Sequence, residues 1–111
     1  MLDDDTVRAN LTAQRRELEA LSAGSAEARK PVALDQQSVG RLSRMDALQG
    51  QAMANAAERR RTTEIARIDA ALRRLDDGTY GECLRCGEEI AEKRLEIDPA
   101  ATLCVACARN A

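Results

Sequence analysis

The first stretch of the chain with a helical period of apolar residues lies near its start. Four apolar side chains fall on one stripe at heptad-like spacing: Val7, Leu11, Leu18 and Leu21. Asp3, Asp4 and Asp5 precede this stripe, where acidic side chains favour the helix dipole. The pattern predicts a helix over about residues 3–23 that stops near Gly24.

A second and longer helix is predicted from about residue 35 to residue 77. Asp35 is a suitable N-cap, and Gly78 follows the last helical position. Two apolar stripes mark this helix, an early one and a cleaner late one: Leu42, Met45 and Leu48, then Ile65, Ile68, Leu72 and Leu75. Residues 24–34, which include Pro31, are predicted as a loop with room for a small element at 26–29.

Two amphipathic helices with a short loop between them predict an antiparallel hairpin over residues 1–77. The first helix is about half as long as the second, so we expect it to pair with the N-terminal half of the long helix. The stripe at 65–75 then needs another partner, and residues 78–111 come next in sequence. Met45, Met53 and the leucines are interpreted as the hairpin seam.

Composition makes the core of this small chain thin. The 111 residues include no Phe, no Trp and one Tyr, Tyr80, and much of the 44% hydrophobic content is alanine. Aromatic side chains bury the largest areas, so their absence limits what burial can contribute. A covalent or metal staple is therefore expected, and the four cysteines are the candidates.

The cysteines form two C-x-x-C pairs separated by residues 87–103. Cys83 and Cys86 make the first pair, and Cys104 and Cys107 make the second. This spacing is typical of a zinc site with four thiolate ligands. Gly87 follows the first pair, where such a turn often requires a positive φ. We expect one structural Zn²⁺ held by all four cysteines.

Two other readings use the same cysteines. Two disulfides would require an oxidising compartment, whereas the acidic start of the chain lacks a secretory signal and no apolar run could span a bilayer. A cytoplasmic protein with reduced thiols is therefore expected. A redox switch that releases zinc on oxidation is the second alternative.

The sequence argues against an enzyme and against a nucleic-acid-binding protein. Four thiolates leave no open coordination position for water or substrate, and the chain has no histidine. The 17 basic and 19 acidic residues give a net charge of −2, whereas nucleic-acid binders usually carry a basic excess. No direct sequence-specific DNA binding is expected.

Charged residues on the long helix are the candidates for contact with a partner. Arg59, Arg60 and Arg61 make its later half basic. They are either a solvated face balanced by nearby carboxylates or a docking surface for an acidic partner. The same two readings apply to four residues near the predicted hairpin turn, where no core has to be stabilised: Asp35, Arg41, Arg44 and Asp46.

The residues around the cysteines resemble the DksA/TraR family. The resemblance covers roughly residues 60–108 and rests on motifs that occur in order: Gly78-Thr-Tyr-Gly81-Glu-Cys83-Leu-Arg-Cys86-Gly87-Glu-Glu-Ile90, then Arg94-Leu95-Glu96, Pro99, and Leu103-Cys104-Val-Ala-Cys107. It implies a mainly α fold, with an antiparallel coiled-coil arm followed by a small four-cysteine zinc finger with little β structure. A compact three-helix bundle is the alternative.

The resemblance also implies a function. Family members bind bacterial RNA polymerase without binding DNA, insert the tip of the arm through the secondary channel, and alter the stability of initiation complexes. Several act together with the alarmone guanosine tetraphosphate. The zinc finger fixes the base of the arm and contributes to docking.

This chain departs from the family pattern at two places. Better-known members carry Asp-x-x-Asp-x-Ala at the tip, whereas here Asp35 is followed by Ser38 and Gly40, or else Asp46 and Ala47 take part of that role in a shifted register. Alarmone-responsive members tend to have Arg before the linker proline. Asp98 stands there in this chain and would repel a polyphosphate, so alarmone binding at that surface is not expected.

We therefore expect a monomeric transcriptional regulator with RNA polymerase as its partner. Two further classes remain open at the level of sequence. The first is a zinc-stapled adaptor for another protein, which the departures at the tip favour. The second is a thiol-based redox sensor.

Overall fold

The structure, a computed structural model, describes residues 2–31 and 40–110, and these residues are mainly helical. The described helices are α1 (Asp4–Gly24), α2 (Ala26–Arg29), α3 (Arg41–Asp77), α4 (Glu92–Ile97) and α5 (Val105–Arg109). The described extended structure amounts to one isolated antiparallel bridge, Glu82 with Glu89. The prediction of a mainly α chain with little β structure is confirmed.

The helix boundaries agree with the sequence within a few residues. Gly24 belongs to α1, and the short α2 follows after Ser25, inside the segment that was expected to be a loop. The described part of α3 begins at Arg41, and the Arg44 N–H donates to the Gly40 carbonyl at 3.0 Å. The predicted start at Asp35 lies outside the described residues.

The C-terminus of α3 has a Schellman motif. Thr79 N–H donates to the Arg74 carbonyl at 2.9 Å, and Gly78 N–H donates to the Leu75 carbonyl at 3.3 Å. Gly78 has φ +76°, which a residue with a Cβ adopts at a cost. This glycine therefore stops the long helix where the cysteine segment begins.

The chain divides into two compact units. The finger unit comprises Met1–Arg16 and Ile65–Ala111, and the hairpin unit comprises Glu17–Glu64. None of the helices in the described ranges has the length and apolar character that a bilayer crossing requires.

Within the finger unit, the start of α1 runs antiparallel to the end of α3. Arg8 pairs with Asp76 at 2.8 Å, and Arg15 pairs with Asp69 at 2.7 Å. The buried residues of the two helices lie in the same stretches: Val7, Leu11, Ile68, Ala71 and Leu75. The expectation that α1 pairs with the N-terminal half of the long helix is thus wrong, because an antiparallel hairpin brings the start of its first helix beside the end of its second.

Within the hairpin unit, polar side chains make the contacts across the hairpin. Ser22 Oγ donates to Glu58 Oε1, Arg61 donates to Ser25 Oγ at 2.9 Å, and Gln51 donates to the Lys30 carbonyl at 2.9 Å. The expected apolar seam is wrong here, since its large side chains are exposed: Leu21, Leu42, Met45, Leu48 and Met53. Polar side chains such as Ser22, Gln51 and Glu58 lie between the two sides of the hairpin instead.

Candidate metal centre

The first cysteine pair lies on a tight turn closed by backbone hydrogen bonds. Cys83 N–H donates to the Glu88 carbonyl at 2.8 Å, and Gly87 N–H donates to the Cys83 carbonyl at 2.9 Å. Gly87 has φ +79°, as the sequence predicted for the residue after the pair. The turn directs two cysteine side chains of one short segment toward the same point.

The second pair lies at the start of α5. Cys104 is the N-cap of this helix, and its Sγ accepts a hydrogen bond from Cys107 N–H at 3.4 Å. Leu84 N–H donates to the Thr102 carbonyl at 2.9 Å, which ties the segment before the second pair to the first turn. The two halves of the site are thus held together by backbone as well as by sulfur.

The four sulfur atoms are spaced for one metal ion. The Sγ atoms of Cys83, Cys86, Cys104 and Cys107 all lie within 4.8 Å of one another. A tetrahedral zinc with Zn–S bonds of about 2.3 Å requires S···S edges of about 3.8 Å. Cys86 Sγ and Cys104 Sγ are 3.8 Å apart, well beyond the roughly 2.05 Å of a disulfide bond. The donor set therefore fits one structural Zn²⁺.

The pKa values of the cysteine thiols indicate that the four sulfurs need a nearby positive charge to ionise together. Hydrogen bonds from backbone N–H groups, above all that of Cys86, lower the pKa of Cys83 to about 6. The Cys107 thiol hydrogen-bonds to the Cys104 sulfur, and this contact together with burial raises the pKa of Cys107 to about 12. A divalent cation supplies the positive charge that lets all four sulfurs ionise together.

A small apolar cluster supports the site from one side. Cys83 is itself buried in it with Ile90, Leu95 and Ala101, and partly buried residues pack around these four: Leu2, Tyr80, Leu103, Cys104 and Cys107. Polar side chains connect the cluster to the backbone. Tyr80 Oη donates to the Pro99 carbonyl at 2.8 Å, and Arg94 Nε donates to the Leu103 carbonyl at 2.7 Å.

Two contacts bring distant parts of the chain to the finger. Leu2 N–H donates to Glu92 Oε1 at 3.1 Å across 90 residues of sequence. Arg67 on α3 donates to Asp98 Oδ2 at 2.8 Å. Asp98 is the acidic residue that stands before Pro99, and this ion pair holds it against the long helix. Sequence spacing gave no signal for either contact.

The candidate partner-binding residues belong to the hairpin unit, apart from Asp35, which lies outside the described residues. Arg41, Asp46, Arg59 and Arg60 are exposed, and Arg44 is half-buried. Arg61 differs from its neighbours, because it forms an ion pair with Glu58 at 3.0 Å and its side chain is only 17% exposed. Arg61 thus has a structural role, while Arg59 and Arg60 are accessible.

Glu58 is the centre of a polar cluster that sequence reasoning treated only as surface charge. It accepts from Ser22 and Arg61 and lies 3.5 Å from Arg29. The hydrogen bond from Ser22, followed by that from Arg61, lowers the pKa of Glu58 below its usual range. The pattern of charges along one helix could not reveal this cluster, since two of its members, Ser22 and Arg29, lie outside α3.

Comparison with known proteins identifies the finger. Residues 78–110 match the family described as the prokaryotic dksA/traR C4-type zinc finger. Two curated proteins named RNA polymerase-binding transcription factor DksA are similar over about two fifths of this chain. The one from Caulobacter vibrioides is 54% identical over 41 residues, which is 37% of this chain and 29% of that protein. The one from Escherichia coli K12 is 42% identical over 43 residues, 39% of this chain and 28% of that protein.

A solved structure extends the similarity beyond the finger. The transcription factor DksA2 from Pseudomonas aeruginosa matches with a TM-score of 0.78 and 28% sequence identity, covering 96% of this chain and 81% of that one. By sequence, the matched segment spans less than a third of the length of these curated relatives. The similarity in sequence to these relatives thus covers about two fifths of the chain, whereas the similarity in structure covers nearly all of it.

Proposed function

We propose that the chain is a member of the DksA/TraR family that binds bacterial RNA polymerase in the cytoplasm and regulates transcription without catalytic activity of its own. The observation that carries the proposal is the combination, in one chain, of a four-sulfur finger with helices that superpose on a DksA structure. The relatives whose printed names describe an RNA polymerase-binding factor are 54% and 42% identical to this chain over 41 and 43 residues.

The zinc has a structural role in this proposal. Cys83, Cys86, Cys104 and Cys107 would hold it, and the ion supplies the charge that stabilises the four thiolates and closes the finger. The closed donor set offers no position for a substrate. Regulation therefore rests on binding and not on chemistry.

We further propose that Arg59 and Arg60 dock the chain on an acidic surface of the polymerase. Both side chains are exposed, and their guanidinium groups can pair with carboxylates on a partner. Arg61 is left out of this surface because it is engaged by Glu58 and Ser25.

Titration of a fluorescently labelled chain with RNA polymerase core enzyme tests the docking surface. We expect saturable binding, weakened at least about tenfold by Arg59→Glu combined with Arg60→Glu, since like charges then face each other across the interface. The matched control reverses two other exposed arginines, Arg16→Glu with Arg73→Glu, and should leave affinity nearly unchanged. Absence of binding by the wild-type chain would refute the proposal and favour an adaptor for another protein.

The secondary channel is the finer part of the proposal, with the hairpin end near Arg41, Arg44 and Asp46 entering it. A photo-crosslinking amino acid at position 46 should react with polymerase segments that line the channel. The same group at position 16 should not. Crosslinks from position 46 to the outer surface of the polymerase would contradict insertion while leaving polymerase binding intact.

A further inference from the structure

One face of α3 exposes large apolar side chains in the hairpin unit. Leu42 is 78% exposed, Met45 is 56% exposed and Met53 is 67% exposed. Large exposed apolar patches on a protein surface are typical of sites that bind a partner. These residues continue along the helix into a row that we call the α3 stripe: Leu42, Met45, Gln49, Ala52, Met53, Ala56, Arg59 and Arg60.

The α3 stripe does not coincide with the hairpin contact. At roughly 100° per residue, Met45 and Met53 lie within about 60° of Leu42 around the helix axis. In the hairpin unit, Gln51, Glu58 and Arg61 of α3 contact α1 and the segment around α2, and they lie roughly 100–180° away from Leu42. The stripe is therefore a second face of the helix, distinct from the one the hairpin uses.

The α3 stripe has the heptad pattern of a coiled-coil surface. Leu42, Gln49 and Ala56 take the a positions, and Met45, Ala52 and Arg59 take the d positions. The flanking e positions are the charged Asp46, the apolar Met53 and the charged Arg60. A second helix packed on this face would cover Leu42, Met45 and Met53.

The charged residues at the e positions indicate that the helix that covers the α3 stripe belongs to a second copy of this chain. In an antiparallel pair of identical helices, with Met53 of each copy facing the other at the two-fold axis, Asp46 of one copy lies opposite Arg60 of the other. We propose that two copies of this chain associate through the α3 stripe as an antiparallel dimer. The opposite-charge contact is then made twice, and no e position meets a like charge.

The shape of the surface agrees with this arrangement. Ala52 and Ala56 are small, which permits close approach of two helices near the axis. A shallow depression of about 530 Å³ lies on the same face, lined by Ala56, Arg59, Arg60, Thr63 and Glu64. In the antiparallel pair it receives Leu42 and Met45 of the other copy.

The dimer covers Arg59 and Arg60, the residues proposed above for docking on polymerase. Self-association and polymerase binding would then exclude each other, and only the monomer would be competent to bind. The inference goes beyond the proposed function and does not rest on it, because self-association is measured with no polymerase present.

Sedimentation velocity of the zinc-loaded full chain, from about 1 μM to about 1 mM, tests the proposal. We expect a concentration-dependent shift from monomer to dimer. Asp46→Arg alone and Arg60→Asp alone should each weaken the dimer at least about tenfold, because each creates a like-charge contact twice. The two substitutions combined exchange the charges and should restore the wild-type dissociation constant to within about threefold.

Two controls make the outcome decisive. Asp77→Arg changes the same charge at the far end of the same helix and should leave dimerisation unchanged, and circular dichroism should show every variant folded. A wild-type chain that stays monomeric over the whole range overturns the proposal. A combined variant that dimerises no better than the single variants overturns the antiparallel arrangement.

Discussion

The guanidinium of Arg67 lies 2.8 Å from the carboxylate of Asp98 and joins the long helix to the residue before Pro99. Both side chains are more than a third exposed, at 37% and 40%, so solvent screens the pair. The ion pair positions the finger segment more than it stabilises the fold. It also occupies the acidic side chain that made alarmone binding at this surface unexpected.

Removal of this carboxylate should have a small, salt-sensitive effect. Asp98→Ala is expected to reduce the free energy of unfolding by no more than about 1 kcal/mol, with less effect at high ionic strength. Glu96→Ala, an exposed acidic residue of α4, serves as the control and should change little. Chemical denaturation at low and high salt measures both, and an Asp98→Ala effect that is independent of salt would show that the contact is not chiefly electrostatic.

The buried apolar residue Leu11 should contribute far more to the free energy of unfolding than Asp98 does. Its side chain is fully buried in the finger unit, so Leu11→Ala leaves a cavity and is expected to cost about 2–5 kcal/mol. Leu21→Ala on the same helix makes the same chemical change at a side chain that is 52% exposed. Denaturant unfolding compares the two, and equal losses would contradict the burial assigned to α1.

Zinc removal should unfold the finger. We expect one zinc per chain in purified protein, and chelation should make residues 78–110 sensitive to protease, since structural zinc binding and folding are coupled. Cys86→Ser should abolish stoichiometric zinc. Leu84→Ser, an exposed neighbour on the same turn, should retain it. Metal analysis that finds well below one zinc, with all thiols reduced, would contradict the site.

The Glu58 cluster should make the stability of the hairpin unit depend on pH. A carboxyl whose pKa is lowered by folding contributes stability above its unfolded pKa of about 4.3, and that contribution is lost as the pH falls through the lower folded value. Glu58→Gln should therefore melt below wild type at pH 7. The two melting temperatures should converge as the pH falls below about 4.3, the unfolded pKa.

The control for this experiment is Glu17→Gln, which alters an exposed carboxylate of α1. This variant keeps the zinc site, so the effect of acid on that site is the same in the control and in Glu58→Gln. Thermal melts followed by circular dichroism report on all three proteins. A difference between Glu58→Gln and wild type that stays constant with pH would show that the charge of Glu58 is not the source of its contribution.

The features that local sequence chemistry dictates were predictable. The positive φ of Gly87 and the end of α3 before Gly78 follow from the freedom of glycine, and the grouping of the four cysteines follows from spacing. The matching finger family confirms the DksA/TraR resemblance, which the motif residues carried.

The features that depend on tertiary pairing were not predictable. Periodicity assigns Met45 and Met53 to an apolar stripe but cannot say which face of α3 meets the rest of the chain, and the structure leaves both exposed. The sequence gives no reason to distinguish Arg61 from Arg59 and Arg60. In the structure, however, the Arg61 side chain is largely buried and forms an ion pair with Glu58. Such differences arise from neighbours that are distant in sequence.

The hydrogen bond from Leu2 to Glu92 has a consequence for the order of folding. Contacts between residues so far apart raise the contact order of the finger unit and slow its assembly. During synthesis, Leu2, which precedes α1, cannot form this hydrogen bond until Glu92 has left the ribosome. The finger unit is therefore expected to form last, after the local hairpin of residues 17–64 has had time to close.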